Sequence, residues 1–236
     1  MNAAAGKVYL IPTMIDENAP ETIPPYITEA VKQCNVFFVE NERTARRFLK
    51  SIWKEMVIDD YEWYTIHKAE AEVKAEFTGL LLSGRNIGII SEAGCPGIAD
   101  PGQILVQAAQ QAGAIVKPLV GPSSILLALM ASGMNGQHFR FSGYLPIDNA
   151  QRIKAIKALE AEIIKTNCTQ IFIETPYRNN QLLEVILKTC TPSLRLCIAA
   201  SVTSPAEFIK TLSVGEWKKQ TPDLHKTPVI FLLGGS

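Results

Sequence analysis

Residues 91–102, SEAGCPGIADPG, place three glycines and two prolines in twelve positions, directly after the apolar run NIGII. A glycine inside a regular element costs up to about 1 kcal/mol, so this density marks an unusual backbone path or a close approach by a neighbour or ligand. The stretch ends in Asp100-Pro101-Gly102, where Asp suits a helix N-cap and Pro the first helical position. It reads as a strand-to-helix loop with Asp100 as the cap. A second loop of this kind, within LVGPSSILLALMASG, sets Gly121, Pro122, Ser123 and Ser124 at the start of another helix. In an open α/β sheet such loops gather at the carboxyl ends of the strands, where helix amides favour an anionic group. Either loop alone is best read as a capped turn. The pair points toward a small-molecule site.

The kind of ligand is narrowed by what is missing. The chain has no G-x-G-x-x-G after its first strand pattern and no G-x-x-x-x-G-K-[ST], so neither a dinucleotide nor a P-loop nucleotide is indicated. Its histidines are His67, His138 and His225, without H-x-x-x-H or a Cys/His cluster, so no metal site is expected. No G-x-S-x-G supports a Ser/His/Asp arrangement, which stays open. The residues alone lead to a cofactor cleft of unspecified kind.

The elements that must carry such loops follow from the hydrophobic pattern. Strand-like runs (KVYLIP, NVFFVE, NIGIISE, AIVKPLV, TQIFIE, LRLCIAA, EFIKTLSV, TPVIFLLGG) alternate with amphipathic stretches such as PPYITEAVKQC, AEVKAEFTGLLLSG, PGQILVQAAQQAG and QRIKAIKALEAEIIK. Continuous apolar runs such as NIGII and VIFLL suit buried strands. At 236 residues and 47% hydrophobic composition, the chain is long enough for two α/β domains. The expected domains are 1–143, with a mostly parallel sheet and the Gly/Pro loops, and 144–236, with a mixed sheet. Lys plus Arg and Asp plus Glu balance at 23 each, so an acidic polymer would have to be met by a local patch. Five cysteines without C-x-x-C, and the start MNAAAGKVYLIP without a basic and then apolar leader, lead to the expectation of a reduced cytoplasm. The most apolar helix candidate, SILLALMASGM, is too short to span a bilayer, and no membrane role is expected.

The opening loop resembles the S-D-A-G-T-P-x-x-S-D-P-G loop of the ribosomal RNA small-subunit methyltransferase I family, within the tetrapyrrole methylase fold. VYLIPT is similar to that family's first strand, ENERTARRFL to its E-D-T-R segment and PLVGPSSILLALMASGM to its P-G-P helix. FSGYLP is similar to its F-x-G-F-L-P crossing, and FIETPYR to its E-S-P-H-R segment. The order and spacing of these segments extend the likeness over nearly the whole chain.

The resemblance implies a two-domain tetrapyrrole methylase-like fold that holds S-adenosylmethionine, a homodimer, and ribosomal RNA or the small ribosomal subunit as partner. Cofactor contacts would come from Pro12, Thr13, Glu92, Gly94, Cys95, Ile98, Ala99, Asp100, Ser123 and Ser124 in the first half. In the second half they would be Tyr144, Leu145, Ile173, Glu174, Ala199, Ala200, Thr227 and Pro228. Gly94 and Gly97 would let backbone lie against the cofactor. Glu40 would be a general base or acceptor-positioning carboxylate, and Arg43, Arg46, Arg47 and Arg178 would meet phosphates, with Arg152, Lys154 and Lys157 as a further basic cluster. Salt bridges at helix ends are the competing reading of Glu40, Arg43 and Arg178. The chain departs from the family at Asp16, Asn41, Ala200 and Ser204, where a glycine, a carboxylate and two cations are absent. These losses fall on the acceptor side, which keeps open a tetrapyrrole or other small acceptor, or a cofactor-binding homologue without catalysis.

Overall fold

The computed structural model describes residues 5–66 and 70–235, with Glu70 and Ala71 by backbone only. His67 and the first four residues of MNAAAG lie outside them. The chain divides into two compact units between Ser123 and Ser124.

In the first unit, β1 (Lys7–Ile11), α1 (Ile27–Val31), β2 (Val36–Val39), α2 (Glu42–Ile52) and β3 (Glu62–Thr65) are followed by α3 (Glu70–Leu82), β4 (Ile87–Ile90), α4 (Gln103–Gln111) and β5 (Ile115–Pro118). The sheet order is β3-β2-β4-β1-β5 and every pairing is parallel. β2 and β4 are buried at every residue, as unbroken apolar runs in a parallel sheet should be. Alternate residues feed two layers. Ile11, Phe37, Val39 and Ile90 pack with Ile27, Val31, Phe48 and Leu49 of α1 and α2. Val36, Phe38, Ile87 and Ile89 pack on the other face with Phe77, Leu81, Leu105 and Ala108 of α3 and α4. β3 escapes the sequence pattern because it is a partly exposed edge strand, EWYT, without an apolar run. Its pairing rests on aromatic neighbours: Trp63 stacks on Phe37 at 4.9 Å and Tyr64 on Phe38 at 4.8 Å.

The second unit contains α5 (Ser124–Ser132), β6 (Phe139–Tyr144), α6 (Asn149–Thr166), β7 (Thr169–Ile173) and α7 (Asn179–Thr189). β8 (Arg195–Ala200), β9 (Phe208–Ser213), α8 (Val214–Trp217) and β10 (Val229–Gly234) complete it. Its sheet, β6-β7-β10-β8-β9, is mixed: β6 and β7 are parallel and the other pairs antiparallel. One face packs on Ile125, Ala128 and Leu129 of α5. The other packs on α6, α7 and Trp217, whose indole N–H donates to Leu196 O at 2.8 Å.

Two expectations meet a different outcome. The units part before α5, not at 143/144, because α5 buries its apolar side on the second sheet and β6 pairs with β7. Asp100 does not cap α4. The N-cap is Gly102, at φ +125°, and Asp100 and Pro101 belong to the turn before it.

Candidate functional site

The carboxyl edge of the first sheet collects what the sequence scatters. Pro12 and Thr13 leave β1, Glu40 leaves β2, the 91–102 loop leaves β4, and 119–123 leaves β5. Thr13 and Gly94 form an isolated antiparallel bridge, Thr13 N–H to Gly94 O at 2.9 Å and Gly94 N–H to Thr13 O at 3.2 Å. The Thr13 hydroxyl donates to Ser91 O at 3.3 Å, and the Cys95 thiol donates to Pro122 O at 3.4 Å. These bonds tie the Gly/Pro loop to the exits of β1 and β5. Gly94 and Gly97 have φ of +74° and +77°. The turn itself therefore demands glycine, since L side chains are disfavoured there. Gly121 is needed for another reason: a Cβ would lie 2.1 Å from Pro12 Cβ.

Glu40 has a definite partner. Its carboxylate accepts the Glu92 main-chain N–H at 2.9 Å, while its own N–H donates to Ile90 O at 3.0 Å. It anchors the start of the loop and, among the described residues, forms no helix-end salt bridge. Asp100 is pushed up to about 6, chiefly by burial and then by the Glu40 carboxylate, with the Ser91 hydroxyl acting in the opposite direction. Sequence patterning gives no sign of this near-neutral titration, because it arises from two chain segments meeting.

The α2 arginines have separate surroundings. Asn41 caps the helix by accepting from the N–H groups of Arg43 and Thr44 at 3.1 and 3.3 Å. Loss of a carboxylate at this position thus preserves the cap. Asp16 likewise stands where the family has glycine, and has no positive φ; it accepts from Asn18 N–H at 2.9 Å. Arg43 is exposed, Arg46 pairs with Glu42 and lies 5.1 Å over the Trp63 ring, and Arg47 pairs with Glu17 at 3.2 Å. Arg47, Thr44, Phe48, Met14, Thr13 and Glu92 line part of a cavity of about 300 Å³. Met14 and Phe48 were not among the expected site residues; a signal for them exists only in their position beside Thr13 and Arg47.

In the second unit, strand register aligns the expected residues in a row. Tyr144 stands opposite Ile173, Ile173 opposite Ile230, and Ile230 opposite Ala199; Ala200 pairs with Val229, just after Thr227-Pro228. Ile173 and Ala199 face the layer that contains Ile125, so Ser124 stands at the end of the helix covering them. A bulge between Phe141 and Tyr144, with Gly143 at φ +65°, leaves Tyr144 61% exposed while Leu145 is buried. Ser201 N–H donates to Pro228 O at 2.9 Å and Asn179 Nδ2 to Thr227 O at 2.6 Å, joining the strand ends.

Beside this row lies a buried ionic cluster. Glu174 accepts from Arg178 Nη2 at 2.7 Å, Thr175 N–H at 2.7 Å and Arg152 Nη2 at 3.5 Å. Burial pushes its carboxyl up, but Arg178, the Thr175 N–H and Arg152 outweigh it, and the group ends below the ordinary range. Arg152 also donates to Pro146 O and Ile147 O at 2.9 and 3.1 Å and is buried. It is therefore unavailable to RNA, unlike the exposed Lys154 and Lys157. Arg178 forms the salt bridge that was its competing reading, with about a third of its side chain still exposed.

Strain marks the same places. Among the described residues, Ala99, Asn167, Ser201, Thr203 and Lys226 are the non-glycine residues with positive φ. Asn167 is an ordinary left-handed C-cap of α6. The other four lie in or against the expected segments: Ala99 in the Gly/Pro loop, Ser201 and Thr203 after Ala199-Ala200, and Lys226 before Thr227-Pro228. Such conformations cost about 1–3 kcal/mol each and concentrate at functional sites.

Residues 18–217 match the family model of the Tetrapyrrole (Corrin/Porphyrin) Methylases. The chain belongs to that family. It is 30% identical over 234 residues to the Ribosomal RNA small subunit methyltransferase I of Escherichia coli O157:H7, covering 98% of this chain and 78% of that protein. The protein of the same name from Vibrio cholerae is 34% identical over 176 residues, covering 73% of this chain and 60% of that one. Among solved structures, the methyltransferase CobJ superposes with a TM-score of 0.60 at 18% identity, covering 99% and 95% of the two chains. Uroporphyrin-III-C-methyltransferase from Thermus thermophilus gives 0.55 at 18% identity, with 97% and 92% coverage. At that identity the likeness is one of fold.

As a tetrapyrrole methylase, the chain is an S-adenosylmethionine-dependent methyltransferase. Its residues fit that cofactor. Among the described residues, the hydroxyls of Ser142 and Thr203 are buried without hydrogen-bond partners, close in sequence to Tyr144 and Ala200. Ile230 and Ala199 are buried under α5, so in that row the partly exposed Ile173 offers the apolar surface, and the looped strand ends suit polar groups. Among the described residues, no group of three or more His, Cys, Asp and Glu is placed to hold a metal, and no helix is long and apolar enough to cross a membrane.

Proposed function

We propose that the chain methylates a ribose 2′-hydroxyl of small-subunit ribosomal RNA in the cytoplasm, as a homodimer. The observation that carries this reading is the alignment over 98% of the chain to a protein named for that RNA. S-adenosylmethionine, when bound, supplies an activated methyl group, so the side chains have chiefly to align donor and acceptor at about 3–3.5 Å. The proposed cofactor contacts are Pro12, Thr13, the segment from Glu92 to Asp100, Ser123, Ser124, Tyr144, Leu145, Ile173, Glu174, Ala199, Ala200, Thr227 and Pro228.

Glu40 acts as an acceptor-positioning group through the Glu92 main chain, and as the candidate general base. Arg43 and Arg47 are the α2 cations most available to phosphate, because the Arg47–Glu17 pair is about 70% exposed on both sides and contributes little. Arg178 is committed to Glu174 and meets phosphate through its exposed part, whereas Arg46, held by Glu42 and the Trp63 ring, contributes less to phosphate binding than to the fold. The dimer reading draws on Leu126 and Met130, one turn apart on α5 and 50% and 79% exposed. Light scattering should give twice the chain mass, and Met130→Lys should lower it.

The deciding experiment incubates the chain with S-adenosylmethionine and small ribosomal subunits, measuring S-adenosylhomocysteine and mapping the RNA by mass spectrometry. A new 2′-O-methyl group is expected. Turnover with a tetrapyrrole acceptor and none with RNA would overturn the assignment, and cofactor binding without turnover on any acceptor would indicate a homologue without catalysis.

A further inference from the structure

Tyr177 is a large aromatic residue left 69% exposed in the turn between β7 and α7, immediately before Arg178. A lone exposed ring is ordinary on a protein surface. This one is not alone. The His225 ring meets it edge-on, with centroids 6.1 Å apart and planes at 74°. The two loops that carry them are joined by Lys226 N–H to Pro176 O at 3.0 Å. Lys226 adopts a left-handed conformation at φ +59°, which a lysine adopts only when its surroundings require it. The His225 N–H is in turn fixed by Asp223 Oδ1 at 3.0 Å, and that carboxylate also accepts from Asn180 at 2.7 Å. The rings are thus held by main-chain ties while their surfaces stay open.

The exposed charges around them are Arg178, Lys226 and the Asp223 carboxylate, the last tied to Asn180 and the His225 N–H. Two guanidiniums, Arg152 and Arg178, face the single Glu174 carboxylate, and Arg178 keeps about a third of its side chain exposed. Lys226, next to His225 in the chain, is exposed as well. Open aromatic faces interleaved with cations are the surface that single-stranded nucleic acid uses: rings stack on bases and cations track phosphates.

We propose that Tyr177, braced by His225, is a stacking platform for an unpaired nucleobase of the RNA substrate, with Lys226 and Arg178 meeting the adjacent phosphates. The proposal rests on the RNA reading above. It adds that the substrate is recognised through an unstacked base in a single-stranded stretch.

A single-stranded oligoribonucleotide containing 2-aminopurine tests this, because its fluorescence is quenched when the base stacks. Wild type and Tyr177→Phe should quench it. Tyr177→Ala should lose the quench and bind about 5- to 150-fold more weakly, the range that one base–aromatic stack supplies. Its thermal shift with S-adenosylmethionine should match wild type, which shows that the exposed side chain was not needed for folding. Lys226→Gln should keep the quench and flatten the salt dependence of binding by roughly 0.7, as loss of one phosphate contact to a single strand does. Wild-type affinity and quenching retained in Tyr177→Ala would overturn the platform alone. A wild type with no affinity for any small-subunit RNA would overturn the RNA reading and the platform with it.

Discussion

Thr13 and Gly94 exchange two main-chain hydrogen bonds, at 2.9 and 3.2 Å, although they lie beyond the ends of β1 and β4. This small bridge fixes where the Gly/Pro loop leaves the sheet. The loop's glycines then serve the turn first, and any ligand second.

Gly94→Ala and Gly121→Ala should therefore destabilise by different routes. An alanine at φ +74° costs about 1–2 kcal/mol, and its Cβ would only touch Pro122 O at 3.4 Å. At Gly121 the Cβ would overlap Pro12 at 2.1 Å, forcing a backbone shift worth at least about 1–3 kcal/mol. Urea denaturation should rank Gly121→Ala as the less stable of the two. The reverse order would mean that the Pro12 contact relaxes freely.

Asp100 carries a pH signature. Its carboxyl titrates at about 6 in the folded chain against 3.8 as its ordinary value, so the folded state holds the proton more tightly. Stability falls as pH rises from about 4 to 6, and the penalty is complete above that window. Asp100→Asn should be more stable than wild type at pH 8 by about 1 kcal/mol, a figure reduced for partial solvent screening, and equal to it at pH 3.5. Denaturation midpoints at the two pH values check this; an advantage that grows on acidification would contradict it.

Glu174 should behave in the opposite sense. Its carboxyl is held below the ordinary range, so its contribution is present above about 4.5 and lost as pH falls. Glu174→Ala leaves the buried Arg152 guanidinium without its carboxylate and should cost about 3–5 kcal/mol at pH 7. Arg178→Ala should cost less, because that side chain reaches solvent. Thermal unfolding of the two variants compares them directly.

The α2 arginines should separate into two groups. Replacing Arg43 and Arg47 by Gln should weaken RNA binding and flatten its salt slope by roughly 0.7 to 0.9 per phosphate contact. Arg46→Gln should instead lose stability of about 0.5–1 kcal/mol through the Trp63 ring. Salt titrations monitored by anisotropy, beside unfolding curves, distinguish the two effects.

The sequence made the interior strands legible because β2, β4 and β10 are buried at every position, and burial on both faces writes an uninterrupted apolar run. β3 and β6 are edge strands whose exposed faces erase that signal. The Gly/Pro loop could be located from glycine and proline alone. Its partners could not, since the Glu40 carboxylate meets the Glu92 N–H across 52 positions of sequence. Asp100 looked like a cap because the local Asp-Pro pair is right for one; Gly102 starts the helix because its φ of +125° is open only to glycine.

The thiols have a practical use. Cys34, Cys168, Cys190 and Cys197 are buried, whereas Cys95 is only half-buried, in the middle of the Gly/Pro loop. Burial and the nearby Asp100 carboxylate both push the Cys95 thiol up, which keeps it mostly protonated at neutral pH and slow to alkylate. At mildly alkaline pH an iodoacetamide dye, added in slight excess, should modify the native chain at Cys95 ahead of the buried thiols, giving a fluorophore in the loop without any engineered cysteine.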